Sequence, residues 1–144
     1  MLSTVAVGTD GSETAAKAVD FAIDMARRYD ARLVVISSYK PVSETRIRQE
    51  QRDAPEEIQW SLNPSEDVEA TLAEVAEKAE EAGIKTTTVA SEGEPAAVLI
   101  EHAEGQGADV LIVGNKGMGR RILGSVPNSV AHKANCTVIV VKTT

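Results

Sequence analysis

The chain has 144 residues, 42% of them apolar and 26% charged, which suits one globular domain spanning residues 1–144 with a buried core. A net charge of −7 excludes a broad basic surface for nucleic acid or anionic lipid, but leaves room for a local anion site. Cys136 is the only cysteine, so an intrachain disulfide is excluded. A reducing compartment fits that usage. The opening MLSTVAVGTDGS lacks the basic start and long apolar stretch of a secretory signal. No apolar run approaches the roughly 18 residues of a membrane span. The expected location is the cytoplasm. Aromatic residues make up only 3%, so Val, Ile, Leu and Ala must build the core.

In chain order, Thr4–Val7 is a strand-like run rich in β-branched residues. Ala15, Ala18, Val19, Ala22, Ile23 and Ala26 then follow the spacing of one helix face, and Leu33–Ile36 is a second strand. Residues 40–66 break the rhythm with Pro41, Pro55, Pro64, many charges and the sole tryptophan, Trp60. They read as a variable loop or a lid, with a short polar helix around Ser43–Arg52. Val68, Leu72, Val75, Ala76 and Ala79 mark a second helix with Gly83 as its stop. Thr86–Ala90 is a strand, and Pro95 suits the first turn of a helix reaching about Gly105. Val110–Val113, a short helix over Ser125–Ala134 and the strand Thr137–Val141 complete the series. Strands alternating with helices predict a three-layer α/β sandwich around a five-stranded, mainly parallel sheet.

Two strand exits look alike. The first strand runs into Val7-Gly8-Thr9-Asp10-Gly11-Ser12, and the fourth into Val113-Gly114-Asn115-Lys116-Gly117. Both are V-G-x-x-G turns leading toward a helix. Glycine lets a ligand approach the backbone, and the start of a helix offers unpaired N–H groups with partial positive charge. In open α/β sheets, ligands bind where the winding reverses. A reversal between strands one and four sets both turns around one crevice, with Asp10 as an acidic corner and residues 114–126 as an anion corner. Neither familiar phosphate loop is present. No Gly-Lys pair exists for a Walker loop, and Ile122 stands where a dinucleotide fingerprint beginning at Gly117 needs its third glycine.

V-G-T-D-G-S, G-N-K-G-M after strand four, L-G-S-V-P before the last helix and the closing C-T-V-I-V-V-K together resemble the universal stress proteins over essentially the whole chain. The resemblance implies a sheet of order 3-2-1-4-5 and a homodimer. It implies an ATP-binding sensor or regulator, with Mg2+ as a companion ion and AMP or cyclic AMP as alternative ligands. By position, Asp10 resembles the carboxylate near base and ribose, on a turn shaped by Gly8, Thr9 and Gly11. Ser38 falls where a backbone group meets adenine. Val113, Gly114, Asn115 and Gly117 match the start of the family's G-x2-G-x9-G-[ST] phosphate loop, and Gly124, Ser125 and Val126 match its end. Here the spacing is G-x2-G-x6-G-S. This shorter middle leaves the number of enclosed phosphates open, and Arg120 and Arg121 inside it are the cations available to compensate.

Each of these residues also has a plainer role. Asp10 can cap a turn, although Ser12 suits the N-cap better. Ser125 can cap the last helix, and Lys116, Arg120 and Arg121 can be solvated. His102 and His132 stand at no metal-ligand spacing and in no local Ser/His/Asp arrangement. Cys136 reads as a small buried hydrophobe. Without an evident catalytic base, any ATP hydrolysis is expected to be slow. In the order 3-2-1-4-5 the apolar last strand lies at a sheet edge, which predicts pairing of two copies through Thr137–Val141.

Overall fold

The computed structural model describes residues 2–39, 64–115 and 123–142. Five strands form one sheet: β1 (Thr4–Gly8), β2 (Arg32–Tyr39), β3 (Thr86–Glu92), β4 (Val110–Asn115) and β5 (Thr137–Lys142). The order is β3-β2-β1-β4-β5 and every pairing is parallel. The described connections carry α1 (Glu13–Tyr29), α2 (Pro64–Glu81), α3 (Pro95–Gly105) and α4 (Ser125–Lys133).

The side-chain alternation of each strand divides the core in two. Val5 and Val7 of β1, Leu33 and Val35 of β2, and Val110 and Ile112 of β4 pack with α1 and α2. Ala6, Val34, Ile36, Leu111 and Val113 pack with α3 and α4. Right-handed crossovers explain the division. The chain winds from β1 through β2 to β3 in one direction, placing α1 and α2 on one face. It then returns past β2 and β1 to β4 and continues to β5, placing α3 and α4 on the other. The winding therefore reverses between β1 and β4.

The strands run further at their carboxyl ends than their apolar letters indicate. Ser37, Ser38 and Tyr39 continue β2, pairing with Ala90, Ser91 and Glu92. Ser37 is buried because its hydroxyl donates to the Thr9 carbonyl at 2.7 Å. Pro64–Glu81 is helical, so the last residues of the predicted 40–66 loop belong to α2. The predicted short helix at 43–52 and Trp60 lie outside the described residues. Cys136 stands just before β5 and is only partly buried, and this burial pushes its thiol above the ordinary range.

Candidate nucleotide cleft

The exit of β1 is fixed to its neighbours before it turns. Thr9 N–H donates to the Ile36 carbonyl at 3.0 Å, while Ser37 holds the Thr9 carbonyl. At Gly8 a Cβ would stand 2.7 Å from Cδ2 of Leu99, so glycine allows α3 to lie against the strand end. Gly11 has φ +82°, and a Cβ there would also meet the Thr71 hydroxyl of α2 at 2.9 Å. Side chains within the turn then take its N–H groups. Thr9 Oγ1 accepts from Gly11 at 3.2 Å, and Asp10 Oδ1 accepts from Ser12 N–H at 3.0 Å and from Ser12 Oγ at 2.6 Å. Ser12 is the N-cap of α1, its Oγ accepting from Ala15 N–H at 3.1 Å.

The exit of β4 is built differently. Asn115 Oδ1 accepts from Gly124 N–H at 2.9 Å, joining the end of β4 to the start of α4. Gly124 is the N-cap, with φ −61° and ψ 164°, and has no side chain with which to cap. The helix continues into Ser125, Val126 and the buried Pro127. N–H groups in a first helical turn have no intrahelical acceptor, and Pro127 carries none, so those of Ser125 and Val126 are the backbone donors at this end.

Between the two exits lies a cleft of about 540 Å³. Gly8, Thr9 and Asp10 form one wall and Val113, Gly114, Gly124, Ser125 and Val126 the other, with Ser38 between them at the end of β2. Ala15, Pro95, Leu99 and Pro127 supply apolar surface, so the cleft joins a largely apolar body to two polar corners of opposite character. Such a mixture suits a small organic ligand bearing an anionic group. Among the described residues, no three His, Cys, Asp or Glu side chains cluster as a metal site, and no helix is long and apolar enough to cross a membrane.

The model of the universal stress protein family matches residues 1–142. This chain belongs to the universal stress protein family. It is similar to a universal stress protein of Mycobacterium tuberculosis, 34% identical over 145 residues that cover 98% of this chain and 97% of the relative. Another similar protein, from Methanocaldococcus jannaschii, is 33% identical over 146 residues and covers 96% of this chain and 81% of the relative. Among solved structures, a universal stress protein crystallised in complex with cAMP has 31% identity and a TM-score of 0.74, covering 99% of this chain and 98% of the other.

Within this universal stress protein fold, Gly8, Thr9, Asp10, Ser38, Val113, Gly114, Gly124, Ser125 and Val126 come together around one cleft. Gly11 and Asn115 stand beside it rather than in its lining: Gly11 carries the chain into α1 against Thr71 of α2, and Asn115 clasps Gly124. Gly117, Arg120 and Arg121 lie outside the described residues. Asp10 does take a turn-capping role alongside its place on the wall, because Ser12 donates to its Oδ1 twice. Ser125 is the first helical residue rather than the cap, a position that Gly124 holds.

Sequence reasoning missed Thr14, Ala15, Pro95, Leu99 and Pro127 as cleft residues, and saw Ser12 only as a cap. One signal was available for Pro95 and Leu99. Their helix follows a parallel strand, so its first turn must stand at the same sheet edge as the two glycine turns. Nothing local marks Thr14, whose place in the lining depends on how α1 leaves the sheet.

Proposed function

We propose that the cleft binds an adenine nucleotide and that the protein acts as a nucleotide-responsive regulator in stress adaptation rather than as a fast enzyme. The observation that carries this reading is the pair of unlike corners facing one cleft of nucleotide-bearing size. A carboxylate wall at Asp10 suits the donor groups of base or ribose. The uncapped start of α4, with Ser125 and Val126, suits phosphate, because N–H groups and the helix dipole both favour an anion there. The cAMP complex of a relative 31% identical to this chain supports the same ligand class.

ATP, with Mg2+, is the ligand drawn from the family resemblance. A single-phosphate ligand, AMP or cyclic AMP, is the second reading. It is favoured by the relative's cAMP and by the backbone donors of this corner among the described residues, where Ser125 and Val126 remain while the Gly124 N–H is already given to Asn115. Turnover is slow in either case. Among the described residues no histidine lines the cleft, and the one carboxylate there, Asp10, is engaged by Ser12. The site test is mass spectrometry of the small molecule released from gently denatured, freshly purified protein, together with thermal unfolding in ATP, AMP or cyclic AMP. A ligand that binds only the folded state stabilises it by about 2.7 kcal/mol at 100 times its Kd. Absence of any adenine compound, with an unchanged unfolding temperature at millimolar nucleotide, would overturn the reading.

Assembly follows from the sheet edge. All four central residues of β5 are apolar, and each is only partly buried in one chain, with Ile139 and Val141 toward one core and Val138 and Val140 toward the other. A second copy pairing along this edge covers both rows and satisfies the outer backbone groups. Sedimentation at micromolar concentration is expected to show a dimer, and a monomer would overturn the pairing.

A further inference from the structure

The wall contributed by α1 has a fixed hydrogen-bond polarity. Ser12 Oγ has one proton and lies 2.6 Å from Asp10 Oδ1. An ionised carboxylate only accepts, so Ser12 must donate to it. Ser12 Oγ also accepts from Ala15 N–H at 3.1 Å and lies 2.9 Å from Thr14 Oγ1. Its proton being committed to Asp10, the remaining contact requires Thr14 to donate. A hydroxyl whose proton points to Ser12 can offer an incoming ligand only its lone pairs. Thr14 is half-buried and lines the cleft.

We infer that Thr14 is a specificity-determining residue that reads a hydrogen-bond donor on the bound nucleotide, its acceptor character imposed by the Thr14–Ser12–Asp10 chain. This rests on the nucleotide reading of the cleft and adds the polarity of one wall to it. Two ligand groups share the required chemistry, a ribose hydroxyl and the exocyclic amine of the base. A ligand presenting only an acceptor at this point leaves two acceptors facing each other, which costs affinity on both sides.

The test is calorimetric titration of the full chain, as wild type, Thr14→Val and Thr14→Ser, with AMP and three analogues. The analogues are 2′-deoxy-AMP, 3′-deoxy-AMP and inosine monophosphate. Thr14→Val keeps the side-chain shape but removes the acceptor, and should weaken AMP binding about 3- to 10-fold, the usual span for one hydrogen bond. The analogue lacking the donor that Thr14 reads should bind wild type and Thr14→Val alike, so the insensitive probe distinguishes ribose from base. Thr14→Ser restores the acceptor and should return AMP affinity to within about twofold of wild type. Equal affinity of wild type and Thr14→Val for AMP would overturn the inference, as would an equal loss across all four probes. If wild type binds none of the probes, the nucleotide reading falls and this inference falls with it.

Discussion

The chain leaves β1 and β4 through the same letters, V-G-x-x-G, but the helix starts that follow, at α1 and α4, use their N–H groups in opposite ways. At the first, Thr9, Asp10 and Ser12 accept from Gly11, Ser12 and Ala15, so the start of α1 is satisfied from within. At the second, Asn115 accepts from Gly124, and the glycine N-cap leaves the start of α4 without a side-chain cap. A carboxylate two residues before an N-cap serine neutralises its own helix end, whereas a glycine cap leaves the dipole for a ligand. Similar letters thus produce an acceptor corner and a donor corner, and a nucleotide needs both.

The sharpest way to break this contrast is Ser125→Pro. Proline is tolerated best at the first helical position, and the extended Gly124 already has the backbone that a following proline prefers. The substitution removes an N–H and a hydroxyl while leaving α4 formed. Nucleotide affinity should fall about 10- to 100-fold, in line with the strength of hydrogen bonds to charged groups, with far-ultraviolet circular dichroism unchanged. Unaltered affinity would show that the donor corner lies elsewhere.

Gly11→Ala tests the other turn. Its φ of +82° and the Thr71 contact at 2.9 Å should cost stability, about 1–2 kcal/mol from the left-handed backbone alone, measured by urea unfolding. Ser12→Ala should cost about 1 kcal/mol as a lost N-cap. It also removes the hydroxyl that donates to Asp10 and accepts from Thr14, freeing the Thr14 proton, so it should lower selectivity among the deoxy and inosine analogues, whereas loss of a cap alone would not.

The smallest effect is expected at the opposite end of the sheet. Asp109 accepts from Ser3 N–H at 2.8 Å and Thr4 N–H at 2.9 Å, and these bonds hold its carboxyl below the ordinary 3.8. A depressed folded value means that its stabilisation is present above the ordinary value and is lost as pH falls through the lower one. Asp109→Asn should therefore flatten the acid limb of the stability curve below about pH 4 while leaving nucleotide affinity intact. A changed affinity would mean that the two ends of the sheet are coupled.

Most of the architecture was legible in the sequence because it follows from periodicity. The β-branched runs placed all five strands, Gly83 and Pro95 marked helix ends, and the family resemblance supplied the strand order. The strand ends were harder to see. Ser37 lies past the apolar run Leu33–Ile36, but its buried hydroxyl bond to Thr9 keeps β2 in the sheet. The glycines of the site were visible because close approach needs them, as the space between Gly8 and Leu99 shows. The clasp from Asn115 to Gly124 and the placing of Thr14 and Leu99 on the cleft were not. They arise from elements brought together by the fold, and no local pattern encodes which hydroxyl or methyl will face the gap.

Whether the two corners hold one nucleotide between them is decided by calorimetric titration of wild-type protein with AMP, cyclic AMP and ATP. Saturable binding of one nucleotide per chain is expected, weakened by Asp10→Ala through loss of base or ribose contacts and by Ser125→Pro through loss of phosphate contacts. No binding of any of the three at millimolar concentration would contradict it, as would binding that neither substitution weakens.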